Sequence, residues 1–266
     1  MRTISRWFQR NLIRIYVVIA FTYLLIPIAY TIAFSFNNGG RSNLVWKGFT
    51  FDNWLSPCGV DNEVCIALSN SIQIGLLATF FSTILGTMIA FAIGRHKFRG
   101  RSSTNLLIFL PMATPEIVLG ASIASLFLQS NINFGFWPVV ISHVMFCISF
   151  VVVTVKARIA SLDPRLEQAA MDLYANEFQT FRRVTFPLVA PGIAAAALLA
   201  FSLSFDDFII TNFNRGSNFD TFPTFVWTAA QKGIPPQANV IGSAMFILAL
   251  VVVIIGQIVG RKRAVK

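Results

Sequence analysis

Residues 134–155 read FGFWPVVISHVMFCISFVVVTV, and residues 156–187 read KARIASLDPRLEQAAMDLYANEFQTFRRVTFP. The first is an apolar run long enough to cross about 30 Å of hydrocarbon. The second is a polar, amphipathic insert placed directly behind it. Outward from this pair, apolar runs of similar length recur at about 15–36, 67–93, 105–128, 188–211 and 239–260. In hydrocarbon each backbone N–H and C=O must find its partner without water, so such runs are helices. The expectation is an all-α membrane protein of six transmembrane helices, forming a single domain over residues 1–266. Composition agrees: 55% of the residues are hydrophobic and 12% charged, where a globular domain carries about a quarter charged residues. The 27 Phe residues suit a lipid-facing surface.

The net charge of +10 could suggest a nucleic-acid partner, so its placement decides its meaning. With the N-terminus inside, the inner segments are 1–14, 94–104, 156–187 and 261–266. They hold all of the 21 Lys and Arg residues except Arg41, Lys47, Arg215 and Lys232. That bias is the positive-inside signature and puts both termini in the cytoplasm. The basic charge is therefore topological, and no nucleic-acid partner is expected. The first apolar run is too long for a signal-peptide h-region and lacks a small-residue cleavage site, so it reads as a retained span.

The two outer loops span about 37–66 and 212–238. The first carries Trp46 and Trp54, which read as interfacial anchors or as contacts for an external partner. It also holds Cys58 and Cys65, which an oxidising compartment would let pair as a disulfide; two free thiols are the alternative. Cys147 falls in a span and reads as packing. A metal site is not expected, because His96 and His143 are the only histidines and no Cys/His cluster accompanies them. In the second loop a short helix is expected around Phe222 to Lys232, ended by Pro235-Pro236.

The insert parses as two short helices. Asp163 is placed as an N-cap with Pro164 at the first helical position, and the helix runs to about Leu173. Asn176, followed three residues later by Gln179, makes a capping-box start for a second helix, Glu177 to Phe186. Leu166, Ala169, Ala170 and Leu173 share one face, and Phe178, Phe181 and Val184 form a second stripe. Neither helix is long enough to stand alone in water, so each needs a surface, either its own spans or a soluble partner.

The wording of the insert resembles the coupling loop of ABC-importer permeases: Glu-Ala-Ala, three residues, Gly, nine residues, Ile-x-Leu-Pro. Here the register is Gln168-Ala169-Ala170, then Tyr174, then Val184-x-Phe186-Pro187, with the spacing complete. Asp172, Leu173 and Phe181-Arg182-Arg183 also resemble family members. Gln168, Val184 and Phe186 are mild departures; Glu167 is adjacent to Gln168 but lies about 100° round the helix. Tyr174 is the serious departure, since Gly there supplies a left-handed residue. Either the turn is rearranged or the Tyr174 ring packs into a partner's groove. Further segments, Leu110 to Leu119, Ser142 to Cys147, Phe150 to Val155 and Ser202 to Phe208, are similar to the C-type permease subunits of spermidine/putrescine importers.

That resemblance implies a type I importer permease in a bacterial plasma membrane, moving polyamines inward. It implies a second homologous permease subunit, two ATPase subunits and an extracytoplasmic solute-binding protein as partners. Glu167, Gln168, Ala169, Ala170, Asp172, Leu173, Tyr174, Phe178, Phe181 and Pro187 would then form the ATPase-coupling surface. ATP and Mg would bind the partners, because this chain has no GxxxxGK[ST] loop and no cofactor site of its own.

Acids inside spans need a reason, because an Asp at the membrane centre is penalised by about 2.5–3.5 kcal/mol on insertion scales. Glu116, Asp206 and Asp207 qualify, and no basic residue lies in a span core. A cationic solute in transit would be their counter-ion, with Phe205, Phe208 and Trp137 as aromatic walls. The plainer readings are that Glu116 caps a broken helix and that Asp206 or Asp207 pairs with another subunit. Adjacent residues point apart, so at most one of the pair faces a path. His143 reads as a buried, hydrogen-bonded residue, and Pro111 and Pro115 as a kink or break in the third span. Other readings are an importer of ferric ion, an opine or a phosphonate, or an ATPase-independent secondary transporter. An enzyme is the weakest, since no nucleophile–base constellation appears.

Overall fold

The computed structural model describes residues 2–40, 42–59, 62–96, 98–163 and 165–264, with the backbone alone for 2–10, 252 and 255–264. The helices are α1 (Arg2–Phe34), α2 (Asp52–Leu55), α3 (Glu63–Arg95), α4 (Arg101–Ala113), α5 (Glu116–Gln129) and α6 (Phe136–Ala160). They continue as α7 (Arg165–Asp172), α8 (Glu177–Thr180), a π-turn (Phe181–Thr185), α9 (Phe186–Phe205), α10 (Ile209–Asn214), α11 (Phe222–Lys232) and α12 (Pro236–Ala264). Among the described residues four helical stretches are long and apolar enough to span: Asn11–Phe34, Glu63–Arg95, Phe136–Ala160 and Glu177–Phe205. The pair α4 and α5 supplies a fifth, and Pro236–Val251 is a shorter apolar stretch.

Two expected boundaries are corrected, and the break expected at Pro111 or Pro115 is found at Pro115. The third span is two helices meeting at 105°. Thr114 before Pro115 is held extended, as the residue preceding a proline must be, and Pro115 cannot donate backward. The Thr114 amide and hydroxyl both return to the Leu110 carbonyl, at 2.9 and 2.7 Å, closing the end of α4. The fifth span stops at Phe205 rather than 211, and α10 is a separate six-residue helix. The second helix of the insert does not end at Phe186. It passes through the π-turn into α9, the wider turn falling just before Pro187, whose missing N–H interrupts the regular ladder.

The chain groups into two compact units, Met1–Cys65 with Val226–Lys266, and Ile66–Phe225. In the first, α1 lies against α12, and the loop after α1 is organised by buried Asn37. Its Nδ2 donates to Asn43 Oδ1 (2.6 Å) and to the Val45 carbonyl (2.8 Å), while its Oδ1 accepts from the Lys47 amide (2.7 Å). Asn43 and Asn53 in turn donate to the carbonyls of Phe34, Ser35 and Asn37 at the end of α1. Trp54 stacks on Phe36 and donates to Ser35 Oγ, so it is turned inward; Trp46 is exposed. A disulfide joins Cys58 of this loop to Cys65 in the first turn of α3.

In the second unit α6 is the central helix, with Val139, Cys147, Val151 and Val155 fully buried. Ala196, Ala200 and Ser204, four residues apart on α9, present small side chains that let α6 approach, and Cys147 Sγ reaches the Ala200 carbonyl. On α3, Gly86 does the same: a Cβ there would stand 2.6 Å from Val151 Cγ1. Asn37 gives a direct test of the first unit. Asn37→Ala strands several buried partners and should lower stability by about 1–3 kcal/mol, read as a lower thermal midpoint in detergent.

Candidate functional site: an exposed insert and a helix break carrying acids

The insert begins as its sequence requires. Asp163 Oδ1 accepts from the Arg165 amide at 2.9 Å, the N-cap bond of α7. Pro164 lies outside the described residues. Asn176 and Gln179 form the full capping box: Asn176 Oδ1 accepts from the Gln179 amide (2.8 Å) and Gln179 Oε1 from the Asn176 amide (3.1 Å).

Between them, α7 closes in a Schellman turn. The Tyr174 amide donates to the Met171 carbonyl and the Ala175 amide to the Ala170 carbonyl. Tyr174 occupies the left-handed position, at φ +62°. Of the two sequence alternatives, the turn is therefore not rearranged: a tyrosine takes the backbone conformation that glycine favours, at a penalty of about 1–2 kcal/mol. Its ring is 97% exposed, beside Leu173 at 80% and Phe178 at 69%. Gln168, Ala169, Met171 and Asp172 are exposed as well.

Leu166, Ala169 and Leu173 of the expected stripe thus face outward, while Ala170, its fourth member, is half-buried beside Glu167 on the inward side. Glu167 pairs with Arg95 at the end of α3 and accepts a hydrogen bond from Thr185 in the π-turn. Phe181 separates from Phe178 and meets Phe91 of α3 edge-on at 5.3 Å. Pro187 is exposed at the start of α9.

The acids fall at the two helix breaks. Glu116 is the first residue of α5, exposed, where the helix dipole favours an anion. Asp206 ends α9 and is exposed, while Asp207 is buried. The Asp207 carboxylate accepts from the amides of Ile210 (3.3 Å) and Thr211 (2.8 Å) and from the Thr211 hydroxyl (2.9 Å), starting α10. His143 Nε2 stands 3.3 Å from the same carboxylate and 2.9 Å from Thr211 Oγ1, and His143 Nδ1 is 2.7 Å from Ser204 Oγ. We assign Nε2–H toward Asp207 and Nδ1 accepting from Ser204, which leaves both ring nitrogens satisfied. The break between α9 and α10 is thereby pinned to α6. Gly120 of α5 lets α10 close in, with a Cβ there only 3.3 Å from the Ile210 Cα.

The three aromatic side chains expected as walls lie at two places, the α9–α10 break and α6. Phe205 stacks on Phe201 and Phe208 is half-buried at the break, while Trp137 is exposed at the start of α6 beside Phe136. The sequence reading missed the Arg95–Glu167–Thr185 bridge and the Ser204 and Thr211 partners of His143. The four-residue spacing of Asp207 and Thr211 across a helix start is a signal that could have found the latter.

Two substitutions check this geometry. Tyr174→Gly should relieve the left-handed turn and raise amide-exchange protection at residues 174–175 about fivefold, for a gain near 1 kcal/mol. His143→Ala should remove one hydrogen bond from buried Asp207, which keeps those from Ile210 and Thr211, and lower stability by about 1.5–3 kcal/mol, seen in the thermal midpoint.

Comparison with known proteins places this architecture. Residues 82–264 match the family described as the binding-protein-dependent transport system inner membrane component. The chain is 33% identical over 258 residues to the spermidine/putrescine transport system permease protein PotC of Haemophilus influenzae, covering 97% of this chain and 98% of the relative. It is 35% identical over 243 residues to PotC of Escherichia coli strain K12, covering 91% of each. To the putrescine transport system permease protein PotI of the same strain it is 31% identical, covering 85% of this chain and 82% of the relative. Its fold is similar to a bacterial ABC transporter involved in the import of the acidic polysaccharide alginate: TM-score 0.71, 15% identity, 98% and 99% of the two chains. The MetNI methionine ABC transporter is similar at TM-score 0.54 and 16% identity, over 75% of this chain and 96% of that one. A nearly all-helical chain with several membrane-length helices, alike along nearly its whole length to these permeases, belongs to the family of binding-protein-dependent transport system inner membrane components.

Proposed function

We propose that this chain is the transmembrane permease subunit of an ATP-driven importer that moves polyamines such as spermidine and putrescine inward across a bacterial plasma membrane. The observation that carries the solute class is Asp206, an exposed carboxylate at a break in an apolar helix, with no basic partner among the described residues. A polyamine supplies the missing charge, and the adjacent Phe205 and Phe208 supply ring faces for its methylenes and ammonium groups. Glu116 and Trp137 serve the same path in this reading. Asp207 acts at one remove, holding the break through His143.

In the proposed mechanism the insert sits in a cleft of an ATPase subunit, in a complex with a second homologous permease, two ATPases and an extracytoplasmic solute-binding protein. ATP and Mg bind to the ATPases, and this chain contributes transport without catalysis. Six spans with both termini cytoplasmic put the insert on the ATPase side. Supporting this is the surface of Leu173, Tyr174 and Phe178, three large apolar groups held in water by a turn that is itself strained. Closure of the ATPases moves α7, and the movement switches the cavity from outward to inward access.

Uptake of labelled spermidine and putrescine by cells with and without the chain tests the reading; unchanged uptake of both would overturn it. Asp206→Asn should reduce uptake about tenfold or more, the value of one charge-assisted hydrogen bond. Spermidine and putrescine uptake that survives Asp206→Lys would remove Asp206 from the path.

A further inference from the structure

Glu167 is not at the position that the coupling motif reserves for its acid, and it faces inward. Its two oxygens meet the two terminal nitrogens of Arg95 end-on, and the Thr185 hydroxyl donates to one of them. Three elements meet there: the C-terminus of α3, the inner face of α7 and the π-turn that leads into α9. Cavities flank the bridge on both sides. One of about 270 Å³ is walled by Ile159, Leu162, Val184 and Leu188 together with the charged Arg101, Lys156 and Asp163. The other, of about 640 Å³, is walled by Met88, Phe91, Met171 and Phe186. Arg95, Glu167 and Thr185 line both, so the bridge is a partition crossing otherwise open space.

We propose that this bridge is a strut that carries displacement of the insert into α3. The proposal rests on the reading of the insert as an ATPase dock. The insert runs through α8 and the π-turn directly into α9, so α9 follows it through the backbone. No such continuity reaches α3. A push on α7 can reach α3 through close-packed atoms, and next to a cavity such packing is missing; the side chains there yield before they transmit. The bidentate pair supplies what packing does not, two parallel bonds with fixed direction. Thr185 ties the same carboxylate to the π-turn, so α3 and α9 receive one movement together. Arg95, Glu167 and Thr185 are positioning residues: they touch no solute.

The test is the complete transporter, assembled with its partner subunits in proteoliposomes, with uptake of labelled spermidine and putrescine measured per ATP hydrolysed. Glu167→Gln should lower uptake per ATP about fivefold or more, the low end of a typical coupling free energy, while ATP hydrolysis continues. Arg95→Glu combined with Glu167→Arg should recover the ratio. Arg95→Lys, which keeps the charge and loses the fork, should fall between. Should Glu167→Gln fail to assemble, the Arg95→Lys ratio decides. A wild-type ratio in that variant, a proportional fall of uptake and hydrolysis, or no recovery in the exchanged pair would overturn the strut. Absence of ATP-driven uptake by the wild-type transporter would instead overturn the underlying function, and the strut with it.

Discussion

Where a helix stops, its last carbonyls and first amides must find new partners, and in an apolar setting water does not supply them. Three breaks illustrate it. At the end of α1, Asn43 and Asn53 donate to the carbonyls the helix leaves free, and Asn37 holds the loop that presents them. At the end of α4, Thr114 closes the Leu110 carbonyl with both its amide and its hydroxyl. At the start of α10, Asp207 accepts the free amides of Ile210 and Thr211. Each break is polar, each is satisfied from within the chain, and the last brings a carboxylate into the core of its unit at a place where α5, α6, α9 and α10 converge.

That convergence explains how two neighbouring acids acquire different lives. Asp207 is consumed by structure: its oxygens are committed to α10, to Thr211 and to His143. Asp206, one residue earlier, is left exposed with no basic partner among the described residues. The fold thus needs one acid to make the break and thereby presents the other. The insert follows a comparable logic. Its inward side is spent on Glu167 and Ala170, and its large apolar groups are presented outward, on a turn whose left-handed residue is an unfavourable tyrosine.

Much of this was legible in the sequence where the cause is local. The capping box of Asn176 and Gln179, the N-cap at Asp163, the break at Pro115 and the helix from Phe222 to Lys232 each follow from residues within four positions of one another. The likeness to importer permeases was legible for the same reason, being carried by short words in fixed register. What escaped was long-range. Nothing near Glu167 in sequence points to Arg95, which lies 72 residues away, and His143 is 61 residues from Ser204 and 68 from Thr211. The continuation of the insert into α9 escaped because Pro187 reads as a stop, whereas a π-turn accommodates it. Amphipathic spacing on α7 gave the stripe correctly but not its sense, since periodicity says which residues share a face and not which way that face looks.

The chemistry of the three cysteines has a practical corollary. Cys58 and Cys65 are bonded to each other, and Cys147 is wholly buried against the Ala200 carbonyl. All three are among the described residues, so the native chain offers no reactive thiol to a water-soluble maleimide. A single cysteine in place of Tyr174 or Glu116 would therefore be read against a silent background, without removing a native cysteine. The molecule is already arranged as its own labelling host, and sidedness, docking and solute protection can each be followed from one engineered sulfur at a time.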